Sequence, residues 1–337
     1  MLLKNHHPMI TSPLFRTPLT PTPSIPRMGY GDHTVWIGSC FTENLGYWLQ
    51  NHGIRSTVNP FGILYNPLSM AIALERILRQ AFYSPEELHL YRGRYISFDH
   101  HGRYTGNDPI EVVERINQAI TEAHQMLQKA RWLFITFGSA WAFKWKKSQQ
   151  VVANCHKLPG TEFERILLPL EEMESRWNTL MQAMPPTLNV VFTISPIRHQ
   201  RDGAVENQRS KASLITLAHS LTERFPQSQY FPAYEIMMDD LRDYRFYKED
   251  MIHPSKVAIS YIREHFMEAF FEKNERSTFQ KMVQLVNASQ HRIENPDAPE
   301  TQKFLSTQLH TLTSLQSLPS PPSTLHLETL FRKHYKG

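Results

Sequence analysis

Trp132-Leu133-Phe134-Ile135-Thr136-Phe137 is apolar at almost every position. A strand with one face in water alternates polar and apolar residues, so an unbroken run of this kind requires cover on both faces, as in a parallel sheet. Thr34-Val35-Trp36-Ile37 and the stretch from Leu188 to Ile194 are further runs of the same type. Between them lie segments with helical spacing, the strongest after Asp108-Pro109, where Val112, Val113, Ile116, Ile120 and Leu127 share a face up to Lys129. Strand and helix alternating over short links predict an α/β fold, a parallel sheet covered by helices on both sides. Such sheets carry their sites at the C-terminal ends of the strands.

Prolines 13, 18, 21, 23 and 26 predict an extended arm over residues 1–26, because proline fixes φ and removes a backbone donor. The main domain then runs over 27–273. Its expected elements are a strand at 33–38, a helix at 42–52 stopped by Gly53, a strand at 55–59 and a helix at 67–82. A small hairpin is expected at 90–105, around Gly93 and Gly102, beside the main sheet. The alternation resumes with a helix at 109–129, a strand at 132–137, a helix at 170–184, a strand at 188–194, a helix at 206–225, a short strand near Tyr230 and a helix at 255–271. Residues 274–337 are more polar and predict a C-terminal helical extension packed on the domain edge, with helices near 277–288, 300–316 and 325–335.

Two cysteines, Cys40 and Cys155, are too few for a disulfide scaffold or a four-thiolate zinc site, and read as small buried thiols in a reducing compartment. The segment from Met1 to Thr11 lacks the apolar stretch of a secretory leader, and no window approaches the roughly 18 apolar residues of a membrane span. A cytoplasmic protein with no membrane partner is expected. A net charge of +4 over 337 residues is small, and Lys144-Trp145-Lys146-Lys147 is the nearest approach to a basic-aromatic stripe, so no nucleic-acid partner is expected.

Chemistry enters at Gly38-Ser39-Cys40-Phe41. A strand that ends in a glycine turn and feeds a helix holds the next side chain at the sheet edge, in the field of the helix N-terminus. Ser39 reads there either as a nucleophile or as a plain helix cap, with Glu43 or Asn44 completing the first turn. The Cys40 side chain is expected to point away from the cleft. Downstream, Asp250 and His253 stand three apart before a proline-initiated helix, a spacing that lets the carboxylate take the imidazole Nδ1 proton and leave Nε2 for a serine hydroxyl. Arg198 and His199 follow the fourth strand and are candidate substrate contacts, while Asn207, Ser210 and Lys211 read as residues that cap the next helix.

Gly38-Ser39-Cys40-Phe41-Thr42-Glu43-Asn44 resembles the signature of the GSCFA family, with Thr42 in place of its alanine. The resemblance continues through Asn59-Pro60-Phe61-Gly62-Ile63-Leu64-Tyr65-Asn66-Pro67, Phe137-Gly138-Ser139-Ala140-Trp141, Val152-Ala153-Asn154-Cys155-His156-Lys157, Ser195-Pro196-Ile197-Arg198-His199, Tyr230 to Glu235 and Asp250-Met251-Ile252-His253-Pro254-Ser255, and so covers about residues 14–272. That family resembles a branch of the SGNH (GDSL-like) hydrolases. The resemblance implies a three-layer α/β/α sandwich with a mostly parallel, flavodoxin-like sheet, and cleavage or transfer of O-acyl groups.

By motif, the resemblance makes Ser39 the nucleophile, His253 the general base, Asp250 its orienter and the Gly62 amide an oxyanion donor beside that of Ser39. The asparagine that completes the SGNH oxyanion hole is absent from the Gly138-Ser139-Ala140-Trp141 turn, where Asn154 or Ser139 is expected to substitute. A serine esterase or O-acyltransferase of small polar or carbohydrate-like acyl esters follows, needing neither metal nor organic cofactor. Two rivals remain: a binding module that keeps the cleft without turnover, suggested by the missing asparagine, and an assembly protein using the arm and helical tail.

Overall fold

Five strands lie side by side and all run parallel: β1 (His33–Gly38), β2 (Arg55–Val58), β5 (Ala130–Phe137), β9 (Asn189–Ile194) and β10 (Ser228–Phe231). Their spatial order is β10-β9-β5-β1-β2. Counted along the chain this is the 2-1-3-4-5 order of a doubly wound sheet, whose crevice opens where the order reverses. The computed structural model describes residues 16–335, so the arm before Arg16, with Pro13, lies outside the described residues.

Helices cover both faces. One face packs against α2 (Pro67–Arg79), α3 (Pro109–Lys129), α4 (Leu170–Ala183) and α5 (Ala204–Arg224). The other packs against α1 (Cys40–Asn51) and α7 (Lys256–Phe270). Side-chain alternation along β1 explains the division, since Val35 and Ile37 enter the first core while Trp36 enters the second and stacks on Phe134 with ring centroids 3.9 Å apart. The α/β/α sandwich expected from the apolar runs is therefore present, and its central sheet is wholly rather than mostly parallel.

The 90–105 region contains the hairpin β3 (His89–Tyr91) and β4 (Arg94–Ile96). A second insertion was not foreseen. Between β5 and α4 the chain forms an antiparallel sheet of β6 (Trp141–Trp145), β7 (Gln150–Val152) and β8 (Phe163–Leu167), in the order β7-β6-β8. Part of its apolar side, Val152 and Phe163, packs with Ile96 and Phe98 into a small separate core. After β10 come a short helix α6 (Ala233–Glu235) and a single π turn at 236–240.

Residues 16–26 form neither helix nor strand and lie along α7, with the Ser24 amide donating to Ala269 O at 2.8 Å and Arg16 paired with Asp240 at 3.3 Å. The C-terminal helices α8 (Lys273–Ser289), α9 (Pro299–Gln316) and α10 (Leu325–Arg332) extend the second core, where Phe279 packs against Trp48 and Met282 is fully buried. Among the described residues no helix is long and apolar enough to cross a membrane.

Candidate active site

The turn that ends β1 is built by two residues of unusual backbone. Gly38 has φ 151°, and a Cβ there would stand 2.4 Å from Thr136 O on the neighbouring strand. Asn59, fully buried with φ 46°, accepts the Gly38 N–H on its carboxamide oxygen at 2.8 Å and so ties the end of β1 to the end of β2. Ser39 follows, with no exposed surface. Its Oγ accepts the Phe41 N–H at 3.3 Å and its carbonyl accepts the Thr42 N–H at 2.9 Å, so α1 begins at Cys40, two residues before the expected start. The serine is a helix cap.

Cys40, expected to point away from the cleft, is partly exposed, and Ser39 is fully buried. A cavity of about 690 Å³ opens at the C-terminal edge of the sheet, and its wall includes Cys40 rather than Ser39. Placing Cys40 at the first helical position turns its Cβ out of the strand plane and toward the crevice, while the capping bond holds the serine inside. Burial, and after it the Glu43 carboxylate, raise the Cys40 thiol pKa, and the Cys40 and Phe41 amides and the Lys211 charge oppose that rise.

His253 lines the same cavity. Asp250 takes the Ile252 and His253 amides on Oδ1, both at 2.9 Å, and His253 Nδ1–H on Oδ2 at 2.7 Å. Those donors, the two amides foremost, hold the Asp250 carboxyl down at about 2. Met251, at φ 54°, lets the chain fold back so that acid and imidazole meet three residues apart. The Arg198 amide then donates to Ile252 O at 3.2 Å, which fastens the 250–253 turn to the loop leaving β9. Residues 39–40 and 250–253 thus share one rim of the sheet.

The remaining expected site residues divide. Ser139, Asn154, Arg198 and His199 line the cavity. Ser139 Oγ accepts the Trp141 N–H at 3.0 Å and lies 3.3 Å from Ser210 Oγ. Asn154 uses its carboxamide oxygen on the His156 N–H at 2.9 Å, which leaves its NH2 as the donor end in the wall. His199 is largely buried beside Lys211 and Arg165; burial first, then those charges, lower its pKa to about 3, and its Nε2 has no hydrogen-bond partner among the described residues. The Arg198 guanidinium lies 5.3 Å from the Tyr247 ring centroid. Gly62 departs from expectation: its N–H donates to Asn59 O at 2.7 Å and a Cβ on it would strike the His101 side chain, away from the cavity wall.

Lys211 is not a cap. The cap position of α5 is Gly203, and Lys211 lies two turns inside the helix, fully buried, donating from Nζ to Gly138 O at 2.8 Å and Ser195 O at 2.7 Å. These carbonyls follow the ends of β5 and β9, so one ammonium joins the two strands beneath the site. Burial lowers its pKa to about 7. Its signal in the sequence is a lysine in register with Leu214, Ala218 and Leu221 on the apolar stripe of α5. Tyr65, also unforeseen, lines the cavity edge-on to His199, and its carbonyl accepts both the Gly138 and Ser139 amides at 2.9 Å.

A larger cavity of about 940 Å³ lies across Val152, between α2, α4 and the hairpin. Its ion pair Arg76–Glu87 is internally satisfied, and His89, Phe98 and Trp145 pack on one another with centroids 4.7 Å apart. It holds no imidazole–carboxylate pair comparable to His253–Asp250, so the smaller cavity is the candidate site. Among the described residues no group of three or more His, Cys, Asp or Glu is arranged to hold a metal ion.

Comparison with known proteins agrees with the sequence blocks that surround this cavity. No curated protein and no solved structure matches the chain. The GSCFA family model matches residues 33–266, a span that takes in β1, the Ser39–Cys40 turn, both insertions and the 250–253 turn. The chain therefore belongs to the GSCFA family.

Proposed function

We propose that this protein is an SGNH-like acyl-transfer enzyme, an esterase or O-acyltransferase, in which the His253–Asp250 pair serves as general base for a nucleophile on the Ser39–Cys40 turn. The observation that carries the proposal is His253 in the wall of the cavity that the turn also lines, with Nδ1 held by Asp250 at 2.7 Å and Nε2 left to accept a proton. An oriented imidazole and a helix N-terminus that share a cavity at the reversal point of a doubly wound sheet supply a base and a position for a nucleophile, which suits acyl transfer. The Asn154 NH2 supplies an oxyanion donor from the insertion. A small polar or carbohydrate-like ester suits the mixed lining of Tyr65, Asn154, Arg198 and Trp141. A cytoplasmic location fits the unpaired thiols.

Turnover of a p-nitrophenyl acetate-to-butyrate series tests the proposal. His253→Ala is expected to lower kcat/KM by about 10²–10⁴, and product partitioning with an added alcohol separates transfer from hydrolysis. A second reading, a binding module without turnover, is favoured by the Gly62 amide being spent on an internal bond to Asn59 O. Folded protein that is silent with every ester decides for it.

A further inference from the structure

We propose that the nucleophile of this site is the Cys40 thiol, and that Ser39 is the cap that aims it. This rests on the acyl-transfer reading above and replaces the hydroxyl by a thiol within it. Two independent observations lead to it. Ser39 is fully buried with Oγ engaged by the Phe41 N–H, whereas Cys40 is partly exposed in the wall that also contains His253. Cys40 is also the first residue of a 12-residue helix, where the axial field, the Cys40 and Phe41 amides and the Lys211 charge behind it favour negative charge on sulfur, against burial and the Glu43 carboxylate.

The resting group is the thiol, because burial works against the thiolate and opposes those charges. Activation therefore needs a base. His253 Nε2 takes the S–H proton, and the sulfur electron pair attacks the acyl carbonyl. The carbonyl π electrons move to oxygen, where the Cys40 amide and the Asn154 NH2 face the new charge. Collapse breaks the ester C–O bond, and the departing alkoxide takes the proton from the His253 imidazolium, leaving an acyl thioester on Cys40. Water, or an acceptor hydroxyl, then gives its proton to His253 and attacks the thioester. The C–S bond breaks and the sulfur recovers that proton, so atoms and charge balance with no oxidant or metal.

Peptide mapping after a brief acid quench of wild-type protein with p-nitrophenyl acetate reads the acylated residue directly. The expected result is one acetyl group on Cys40, removed by neutral hydroxylamine. It should be absent in Cys40→Ala and still formed by Ser39→Asn, which keeps a capping oxygen but has no hydroxyl. Acetyl on Ser39 overturns the assignment, as does loss of the adduct in a folded Ser39→Asn with persistence in Cys40→Ala. A second measurement needs no ester: iodoacetamide alkylation of Cys40 near neutral pH, followed by the same mapping so that Cys155 is distinguished. His253→Ala is expected to slow it by about tenfold or more, because the thiolate is the reacting form. An unchanged rate overturns the thiol–imidazole pair. A slowed rate without acylation by any ester supports the pair and overturns only the ester chemistry, so the two failures are told apart.

Discussion

Lys211 Nζ lies 2.8 Å from Gly138 O and 2.7 Å from Ser195 O, a buried cation joining the ends of two adjacent parallel strands. Its pKa, lowered to about 7, has a direct consequence for stability. Below pH 7 the amine is protonated in both folded and unfolded chains, and folding carries the burial cost in full. From about 7 to the ordinary 10.5, the unfolded chain keeps a proton that the folded one has released, so stability rises with pH across that window. Urea unfolding of wild type and Lys211→Met between pH 7 and 10 should diverge in favour of wild type, on the order of a few kcal/mol. Parallel curves count against the shift.

Asp250 works in the opposite sense. Its carboxyl is held at about 2 by the His253 and Ile252 amides and by the imidazole, so the bonds that shape the 250–253 turn are fully present above the ordinary value of 3.8 and are lost as pH falls through about 2. A carboxyl-carbon NMR titration of Asp250 is expected to show its midpoint near 2. A midpoint near the ordinary value shows that the turn bonds are not maintained in solution. Asp250→Asn should leave the fold intact while lowering any ester turnover, because the imidazole loses the partner that fixes its Nδ1–H tautomer.

Asn59 supports the site without lining it. Asn59→Ala deprives the buried Gly38 N–H of its acceptor and puts alanine at φ 46°. The combined cost is about 2–5 kcal/mol, from an unsatisfied buried amide and a left-handed backbone. Asn59→Gly relieves the backbone part only and is expected to unfold at a urea concentration between those of wild type and alanine. Equal midpoints for the two variants would show that the conformation contributes nothing.

Phe279 tests whether the tail belongs to the same core. Its ring centroid is 4.8 Å from Trp48 and 5.0 Å from His52 on α1 and its C-cap, and 6.0 Å from Phe271. Phe279→Ala should cost about 3–5 kcal/mol in a single cooperative transition. A separate early transition for the tail, with the main transition unmoved, would mean that α8–α10 fold independently.

Much of this architecture was legible because two-sided burial leaves a strong mark: a strand such as 132–137, apolar throughout, admits few other settings. Short edge elements leave a weaker one. Trp141-Ala142-Phe143-Lys144-Trp145 reads as a basic-aromatic stretch, and nothing local shows that it pairs with residues 163–167. The His253–Asp250 contact was legible because three-residue spacing keeps it local. The orientations of Ser39 and Cys40 were not, since they turn on which residue caps α1, and a start displaced by two residues exchanges the buried side chain for the exposed one. The bond from the Gly62 amide to Asn59 O was not legible either, since it closes a turn that sequence position alone does not reveal. Lys211 carried a signal that capping chemistry obscured, a charge in phase with leucines.

The antiparallel insertion β6-β7-β8 and the segment after β7 bring Trp141, Asn154 and Arg165 to the cavity while adding no strand to the central sheet. The cavity is therefore assembled from separate stretches of chain: the β1–α1 turn and residues 250–253 belong to the doubly wound frame, whereas Trp141, Asn154 and Arg165 come from an insertion whose strands pair only with one another. Changes of length in the β6–β7 or β7–β8 link would reshape that wall while leaving the pairing of the five central strands untouched.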